Sequence, residues 1–313
     1  MNDLFVVLGI ESWKSTLGAM FMPPIPFLVM VLVGMRLVYR RRLLAWSLVL
    51  GGVLGICDSA TPDKGKPFDC RVLGVVLQFP FLGERIGVPA RAGSRKLDYD
   101  AALDTQGVPV VALAGTCMEA GKTAAACAIV SRMRHRGMTV DVFKATGVSL
   151  RRDILAMEDS GARNALIFTD LGVITTTGKT GPALTRTMMT ELAARKPDVI
   201  VFELGDGLIG TYGVDSILEC EDIRKSLTSV VLSANDPVAA WGGVKLLRER
   251  FGIEPAAVTG PATDNSVGVD IIRERLGVPA FNAMTNGAAL GDCVITAAGL
   301  GQVARSGEIE DGA

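Results

Sequence analysis

Apolar residues are spread unevenly along the chain, and the longest uncharged run lies near its N-terminus. Ser15–Met35 carries no charged residue over a length that can span a bilayer, which needs about 20 residues. Leu43–Cys57 is a second, shorter uncharged run, and an Arg-rich segment separates the two. We therefore predict a helical hairpin over residues 1–57 that meets the membrane through residues 15–57, either as a transmembrane pair or as a re-entrant one. Buried core helices and an interfacial hairpin are the alternatives.

In the remainder of the chain, sequence patterns typical of strands alternate with patterns typical of helices. Residues 58–70 are rich in Asp, Lys, Pro and Gly, which predicts an exposed linker. From 71 to 313, short Val-rich runs alternate with helical stretches, which predicts a doubly wound α/β domain with a mostly parallel sheet. The predicted strands are Val72–Leu77, Val108–Ala114, Thr139–Phe143, Asp198–Phe202, Ser229–Ser233, Ala256–Val258 and Val278–Phe281. The predicted helices are Lys122–Arg136, Gly181–Ala194, Pro237–Phe251 and Val267–Leu276.

The amino-acid composition argues against several classes of function. The chain has 313 residues and a net charge of -1, which argues against a nucleic-acid-binding surface. Its six cysteines form no C-x-x-C pair and it has one histidine, so we expect neither a zinc or iron–sulfur site nor a disulfide framework. That histidine, His135, stands with three arginines in the last turns of a predicted helix, where cations complement the helix dipole.

A phosphate-binding loop is the main candidate for chemistry. The stretch GTCMEAGKT, residues 115–123, lies between a predicted buried strand and a predicted helix. In such a loop the backbone N–H groups and the helix N-terminus cradle phosphates, Lys122 reaches the β- and γ-phosphates, and the Thr123 hydroxyl coordinates Mg²⁺. The sequence therefore predicts ATP and Mg²⁺ as cofactors. The predicted cofactor-binding residues of the loop are Gly115, Thr116, Glu119, Ala120, Gly121, Lys122 and Thr123.

The usual pattern, G-x-x-x-x-G-K-[ST], has glycine where this chain has Thr116. The loop is similar to the deviant G-T-x-x-x-x-G-K-[ST] loop of dethiobiotin synthetase and the cobyric-acid and cobyrinic-acid amidoligases, within the P-loop NTPase superfamily. In VFKATGV, Lys144 resembles the lysine of that family's K-P-x-x-x-G motif, here without the proline. In FELGDG, Glu203 resembles the acidic residue of its V-E-G-A-G-G motif. The resemblance covers residues 108–240, and Cys117 stands where the family commonly has Asp.

These two residues also have a physical rationale. Lys144 at a strand end would stabilise negative charge that develops during transfer of the γ-phosphoryl group. Glu203, at the carboxyl end of a buried strand, is where a Mg²⁺-holding carboxylate belongs. The predicted catalytic residues are Lys122, Lys144 and Glu203, and the predicted metal ligands are Thr123 and Glu203. A solvated Lys144, or a structural Glu203 paired with a lysine, is the alternative.

A polar pair follows another predicted strand. Asn235 and Asp236 could recognise the nucleotide base, because an amide donates and accepts at a purine edge. Alternatively, the pair forms the N-cap of the helix that Pro237 begins.

The function expected from these motifs is that of a ligase- or synthetase-like enzyme. It would use Mg-ATP to activate a small carboxylate or amine-bearing acceptor by phosphoryl transfer. The region around residues 72–123 also looks like a little-characterised bacterial P-loop family linked to N-acetylation of D-glutamate, which makes an acyl-CoA-dependent N-acetyltransferase an alternative. A membrane-tethered regulatory ATPase is a third class. Such ATPases carry a second lysine early in the loop, which residues 115–120 lack.

Location presents a conflict. The hairpin resembles the N-terminal segment of the bacterial envelope-biogenesis factor family. The positive-inside rule places the basic segment 36–42 in the cytoplasm and hence residue 58 onward outside, whereas Mg-ATP is cytosolic. We expect a protein of the cell membrane with a cytoplasmic nucleotide-binding domain, so that either the hairpin is re-entrant or it is not native to this domain. The expected partners are a small-molecule substrate and the membrane, with no nucleic acid, and a homodimer is the assembly to test.

Overall fold

A computed structural model describes residues 95–148 and 151–301, together with 69, 71, 73–74, 76–79, 86–90 and 93. The predicted hairpin over residues 1–57 and nearly all of the predicted linker lie outside the described residues. The chain divides into the units Met1–Gly74 and Val75–Ala313, and the second unit is described here. Within the part of the chain that the structure describes, no helix combines the length and the apolar character needed to cross a bilayer.

A six-stranded parallel sheet forms the centre of this unit. Its strands run in the order β5-β4-β6-β3-β7-β8, and every neighbouring pair is parallel. A separate two-stranded antiparallel pair is formed by β1 and β2. The predicted α/β class with a mostly parallel sheet is therefore confirmed. The strands are β1 Leu77–Gln78, β2 Val88–Pro89, β3 Val110–Gly115, β4 Val140–Lys144, β5 Asn164–Ile167, β6 Val199–Glu203, β7 Ser229–Ser233 and β8 Ala257–Thr259.

Helices connect the strands and fall into three groups by their contacts. Helix α1 contacts α2 and α8, α3 contacts α4 and α5, and α6 contacts α7. The chain leaves β3 through α1 toward one edge of the sheet and leaves β6 through α4 and α5 toward the other. Because parallel crossovers are right-handed, these connections lie on opposite faces. The helices are α1 Lys122–His135, α2 Arg151–Asp159, α3 Thr180–Ala193, α4 Val214–Glu219, α5 Glu221–Ser226, α6 Pro237–Phe251, α7 Ser266–Leu276 and α8 Gly287–Ala297.

The change of direction between β3 and β6 determines where a ligand can bind. Neighbouring strands whose connections leave for opposite faces open a crevice at their carboxyl ends. Both strands are buried along their whole length, as expected of strands covered on two faces. Beside them, the rings of Phe143 and Phe202 stack with centroids 4.6 Å apart. This contact lies in the register that sets Lys144 next to Glu203.

Two predicted strands are wrong as strands of the sheet. In the run Val72–Leu77, the described residues Leu73 and Val76 are 68% and 77% exposed, and only Leu77 enters a two-residue pair. An apolar run forms a buried strand only when helices or strands cover it, and the sequence of the run does not show whether they do. Val278–Phe281 forms an isolated bridge to β8 at Ala280, because Pro279 has no N–H with which to continue a ladder.

Candidate functional site

The loop between β3 and α1 lies at the crevice and is held at its base by two backbone hydrogen bonds. The Thr116 N–H donates to the Ser233 carbonyl at 2.9 Å, and the Leu208 N–H donates to the Gly115 carbonyl at 2.8 Å. The loop enters α1 through Gly121, whose φ of 90° is left-handed and favours glycine. The strands on both sides of β3 therefore fix the start of the loop, and a glycine makes the turn into the helix.

Lys122 folds back across the end of β3. Its Nζ donates to the Cys117 carbonyl at 2.7 Å, and a Cβ on Gly115 would lie 2.8 Å from that Nζ. Only glycine at position 115 therefore leaves room for the lysine in this position. Burial lowers the pKa of Lys122, and the nearby Glu203 carboxylate partly opposes the effect. A desolvated ammonium inside a loop of backbone N–H groups is a strong attractor for phosphate.

Thr123 and Glu203 are joined directly. The Thr123 hydroxyl donates to Glu203 Oε2 at 2.9 Å, and Glu203 is the last residue of β6 with 3% of its surface exposed. Burial raises the pKa of Glu203, whereas the Lys144 ammonium and the Thr123 hydrogen bond act in the opposite direction. A hydroxyl and a carboxylate are oxygen ligands of the kind Mg²⁺ takes from a protein when phosphates and waters complete its shell. This donor set fits Mg²⁺. The described residues contain no cluster of three or more acidic, His or Cys side chains that could hold a metal by themselves.

Lys144 lies beside this pair and is bound by a residue that the motifs did not reveal. Its Nζ donates to Asp153 Oδ2 on the first turn of α2, and both side chains are largely buried. In the sequence, Asp153 is one of many acidic residues near a helix start. Only the packing of α2 beside β4 brings it to the lysine.

The loops that follow β4 and β6 are tied together. The Gly205 N–H donates to the Thr146 hydroxyl at 2.8 Å. The Thr176 hydroxyl accepts from the Gly147 N–H and donates to the Tyr212 carbonyl, each at 2.8 Å. A Cβ on Gly205 would lie 2.1 Å from the Thr146 carbonyl oxygen, so the two loops approach more closely than any side chain allows. This network holds the strand ends that carry Lys144 and Glu203 in fixed positions.

These side chains face a common cavity of about 320 Å³. It brings together six of the predicted site residues, namely Glu119, Gly121, Lys122, Thr123, Lys144 and Glu203. The predicted Gly115, Thr116 and Ala120 belong to the base of the loop and do not line it. The other lining residues are Met118, Ala124, Gly147, Val148, Arg152, Asp153, Gly205 and Tyr212.

Asn235 and Asp236 lie at the start of α6. Asp236 Oδ1 accepts from the Val238 and Ala239 N–H groups, both at 2.8 Å, so Asp236 is the N-cap of that helix. The Asn235 amide donates to the Cys117 sulfur at 3.1 Å, which places it against the phosphate-binding loop. Recognition of the base by this pair stays a prediction.

A central parallel strand, the GKT loop and the helix that follows it together define a P-loop nucleotide-binding fold. No protein-family model matches the chain, and no curated protein matches it. Among solved structures, it is similar to a DUF1611 family protein from Anabaena variabilis, with 14% identity and a TM-score of 0.45. The match covers 64% of this chain and 63% of that one.

Two further solved structures are similar at comparable levels. The hydrogenase maturation factor HypB from Archaeoglobus fulgidus has 11% identity and a TM-score of 0.40, with 62% of this chain and 90% of that chain covered. The signal recognition particle 54 kDa protein from Aeropyrum pernix, in complex with GDP, has 15% identity and a TM-score of 0.41. There the match covers 65% of this chain and 50% of that chain. The assignment of the fold rests on the sheet and the loop described above.

Proposed function

We propose that this protein is a Mg-ATP-dependent enzyme that transfers the γ-phosphoryl group to a small carboxylate or amine-bearing acceptor, in the manner of dethiobiotin synthetase. One observation carries the proposal. Lys122, the Thr123–Glu203 pair and Lys144 line a single cavity at the carboxyl ends of the central strands. Burying an ion costs on the order of several kcal/mol. A purely structural loop would therefore not be expected to keep two buried lysines beside a buried carboxylate.

Each residue has a definite task in such a transfer. The loop N–H groups and the N-terminus of α1 bind the phosphates, and Lys122 binds their outer oxygens. Thr123 and Glu203 would hold Mg²⁺, which when bound neutralises charge on the phosphates. The acceptor's lone pair forms a bond to the γ-phosphorus while the bond to the bridging oxygen breaks, and that electron pair stays on the ADP product. Lys144 stabilises negative charge on the transferred group.

The test is Mg-ATP binding and turnover by the full chain, with and without small acceptors. Lys122→Ala should weaken Mg-ATP binding about 10- to 100-fold, which is the range for a lost charged hydrogen bond. Lys245→Ala is the matched control, since this lysine is half exposed on α6. Turnover that survives Lys122→Ala would show that the loop is not the active centre. Binding of acetyl-CoA without any binding of ATP would instead support the N-acetyltransferase alternative.

For location, we propose that this domain works on the cytosolic side of the cell membrane, tethered through residues 15–57. The need for Mg-ATP supports this arrangement. A reporter fused after residue 60 and another at the C-terminus test it. A periplasmic signal from either fusion would rule out ATP chemistry in this domain.

A further inference from the structure

The cavity is lined by a buried carboxylate that the proposed chemistry has not used. Among its described lining residues, the acidic ones are Glu119, Asp153 and Glu203. Glu203 accepts from Thr123, and Glu119 is exposed on the loop itself. Asp153 is buried on the first turn of α2, which is a different element from the phosphate-binding loop. It therefore lines the cavity from an element that does not bind the phosphates.

The two oxygens of Asp153 have different surroundings. Oδ2 accepts from Lys144 Nζ. Oδ1 lies 3.6 Å from Nε of Arg152, a side chain that is 83% exposed, and this separation is too long for a hydrogen bond. Within the part of the chain that the structure describes, Oδ1 is thus the oxygen that can accept a proton from a molecule in the cavity.

A carboxylate in this position discriminates between acceptors. An acceptor that is itself a carboxylate has no proton to lose, and beside Asp153 it would experience repulsion between like charges in a poorly solvated site. A hydroxyl or neutral amine carries a proton that must leave as its new bond forms. The arrangement therefore favours an acceptor of the second kind.

Resting on the proposed function, we propose that Asp153 accepts the proton of a hydroxyl- or amine-bearing acceptor. The oxygen or nitrogen of the acceptor forms a bond to the γ-phosphorus, and its proton passes to Asp153 Oδ1. The bond between the phosphorus and the bridging oxygen breaks, and its electron pair leaves with ADP. Lys144 holds Asp153 in place through Oδ2 and faces the same phosphoryl group.

The variant that isolates this role is Asp153→Asn. Its amide oxygen can still accept from Lys144, whereas the amide cannot take up a proton. Asp159→Asn makes the same chemical change at the exposed end of α2 and serves as the matched control. The charged or titratable groups that face Asp153 are Lys144 from β4, Glu203 from β6, Cys127 from α1 and its neighbour Arg152.

The experiment measures ADP release by the full chain with Mg-ATP and four probes, namely water alone, ethanolamine, glycerol and acetate. We expect ethanolamine or glycerol to accelerate release and acetate to have no effect. Asp153→Asn should lower the accelerated rate about 10²- to 10⁴-fold, the usual contribution of a positioned base, whereas Asp159→Asn should keep it. Mg-ATP affinity should change by less than about threefold, since Asp153 is not part of the phosphate-binding loop.

Three results would overturn the role of Asp153. They are acceleration by acetate alone, an Asp153→Asn variant that keeps the accelerated rate of the wild type, and wild-type protein that binds Mg-ATP but turns over none of the probes. Failure of the wild type to bind Mg-ATP is a different result, because it removes the proposed function as well. Loss of activity in Asp159→Asn would indicate that α2 tolerates no such change, and would count against a specific role for Asp153.

Discussion

Replacing Lys122 by methionine should make the ligand-free protein more stable and at the same time weaken its response to nucleotide. The lysine is 2% exposed, and burial lowers its pKa. The unfolded chain therefore binds a proton more readily than the folded one between the lowered pKa and the ordinary lysine value of 10.5. Stability rises with pH across that window, and the cost of the buried charge is fully present below it. Methionine has a similar length and carries no charge.

The size of the effect follows from opposing contributions. Removing the ammonium removes its desolvation cost, on the order of several kcal/mol for a buried ion, of which the attraction of the Glu203 carboxylate already offsets a part. Against this gain, the variant loses the hydrogen bond from Nζ to the Cys117 carbonyl, which contributes on the order of 1 kcal/mol. The net expectation is a stabilisation on the order of 1 kcal/mol, the lower end for replacing buried ionic groups by apolar ones of similar volume, which raises the melting temperature by about 2–4 °C for a domain of this size.

The assay is thermal unfolding of the full chain, followed by circular dichroism with and without Mg-ATP. Ligand at about 100 times its dissociation constant should stabilise the wild type by about 2.7 kcal/mol. The same concentration should stabilise Lys122→Met by only about 0.4–1.4 kcal/mol, because an affinity about 10- to 100-fold weaker leaves the ligand at about 1–10 times the dissociation constant. Lys245→Met, on the exposed face of α6, should behave as the wild type does in both conditions. A free energy of unfolding for Lys122→Met more than about 2 kcal/mol below that of the wild type would refute this expectation, because the lost hydrogen bond accounts for less than that. A stabilisation of Lys122→Met by Mg-ATP equal to that of the wild type would refute it as well.

The remaining predictions concern Glu203 and helix α6. Because burial raises the pKa of Glu203, the folded chain binds its proton more readily than the unfolded chain. Stability should fall as pH rises through the interval above the ordinary glutamate value, and urea midpoints measured across that interval should show a smaller fall for Glu203→Gln. Gly243→Ala would place a Cβ 2.8 Å from Leu232 and 3.1 Å from Thr116, so the urea midpoint and Mg-ATP affinity should both fall, with a cost of about 1–3 kcal/mol. Gly242→Ala, where a Cβ meets nothing within 4 Å, should instead stabilise the protein by about 0.5–1 kcal/mol; equal effects at the two positions would contradict the packing described here.

The central part of the fold could be read from the sequence because its signals are local. The predicted helix Pro237–Phe251 and the predicted strand Ser229–Ser233 have the same bounds in the structure. In the helix, Pro237 marks the first turn and a following glycine ends it, as helix boundaries usually require. The predicted helix at Lys122 ends one residue earlier than expected, at His135.

Other elements could not be predicted because their formation depends on neighbours distant in sequence. Strand β5 has four residues and is recognisable only through its pairing with β4. Helix α8, with the sequence GAALGDCVITA, combines two glycines with β-branched residues, and its small residues show no distinct apolar stripe. A Cβ on Gly291 would lie 2.4 Å from the Arg132 side chain, so these small residues reflect close packing against α1.

The residues of the candidate site also fall into those that local sequence patterns predict and those that depend on distant contacts. Lys122 and Thr123 follow from the loop pattern, because their positions relative to Gly121 are fixed by local geometry. Lys144 and Glu203 follow from their places at strand ends, which converge on one edge of a parallel sheet. Asp153 could not be found in this manner, because its contact with Lys144 depends on how α2 packs beside β4. Thr176 was missed for a similar reason, since the two loops it joins are far apart in sequence.

The segment beside β8 has a consequence for how this protein behaves at high concentration. The Val258 N–H donates to the Pro279 carbonyl, and the Phe281 N–H donates to the Val258 carbonyl, so the outer side of this last strand is already partly paired. Exposed edge strands recruit strands from other molecules and begin aggregation. A three-residue strand covered by a proline-containing segment offers little template for such growth. The proline-containing segment Val278–Phe281, which was predicted as a strand and forms only an isolated bridge, therefore also protects this edge of the sheet against self-association.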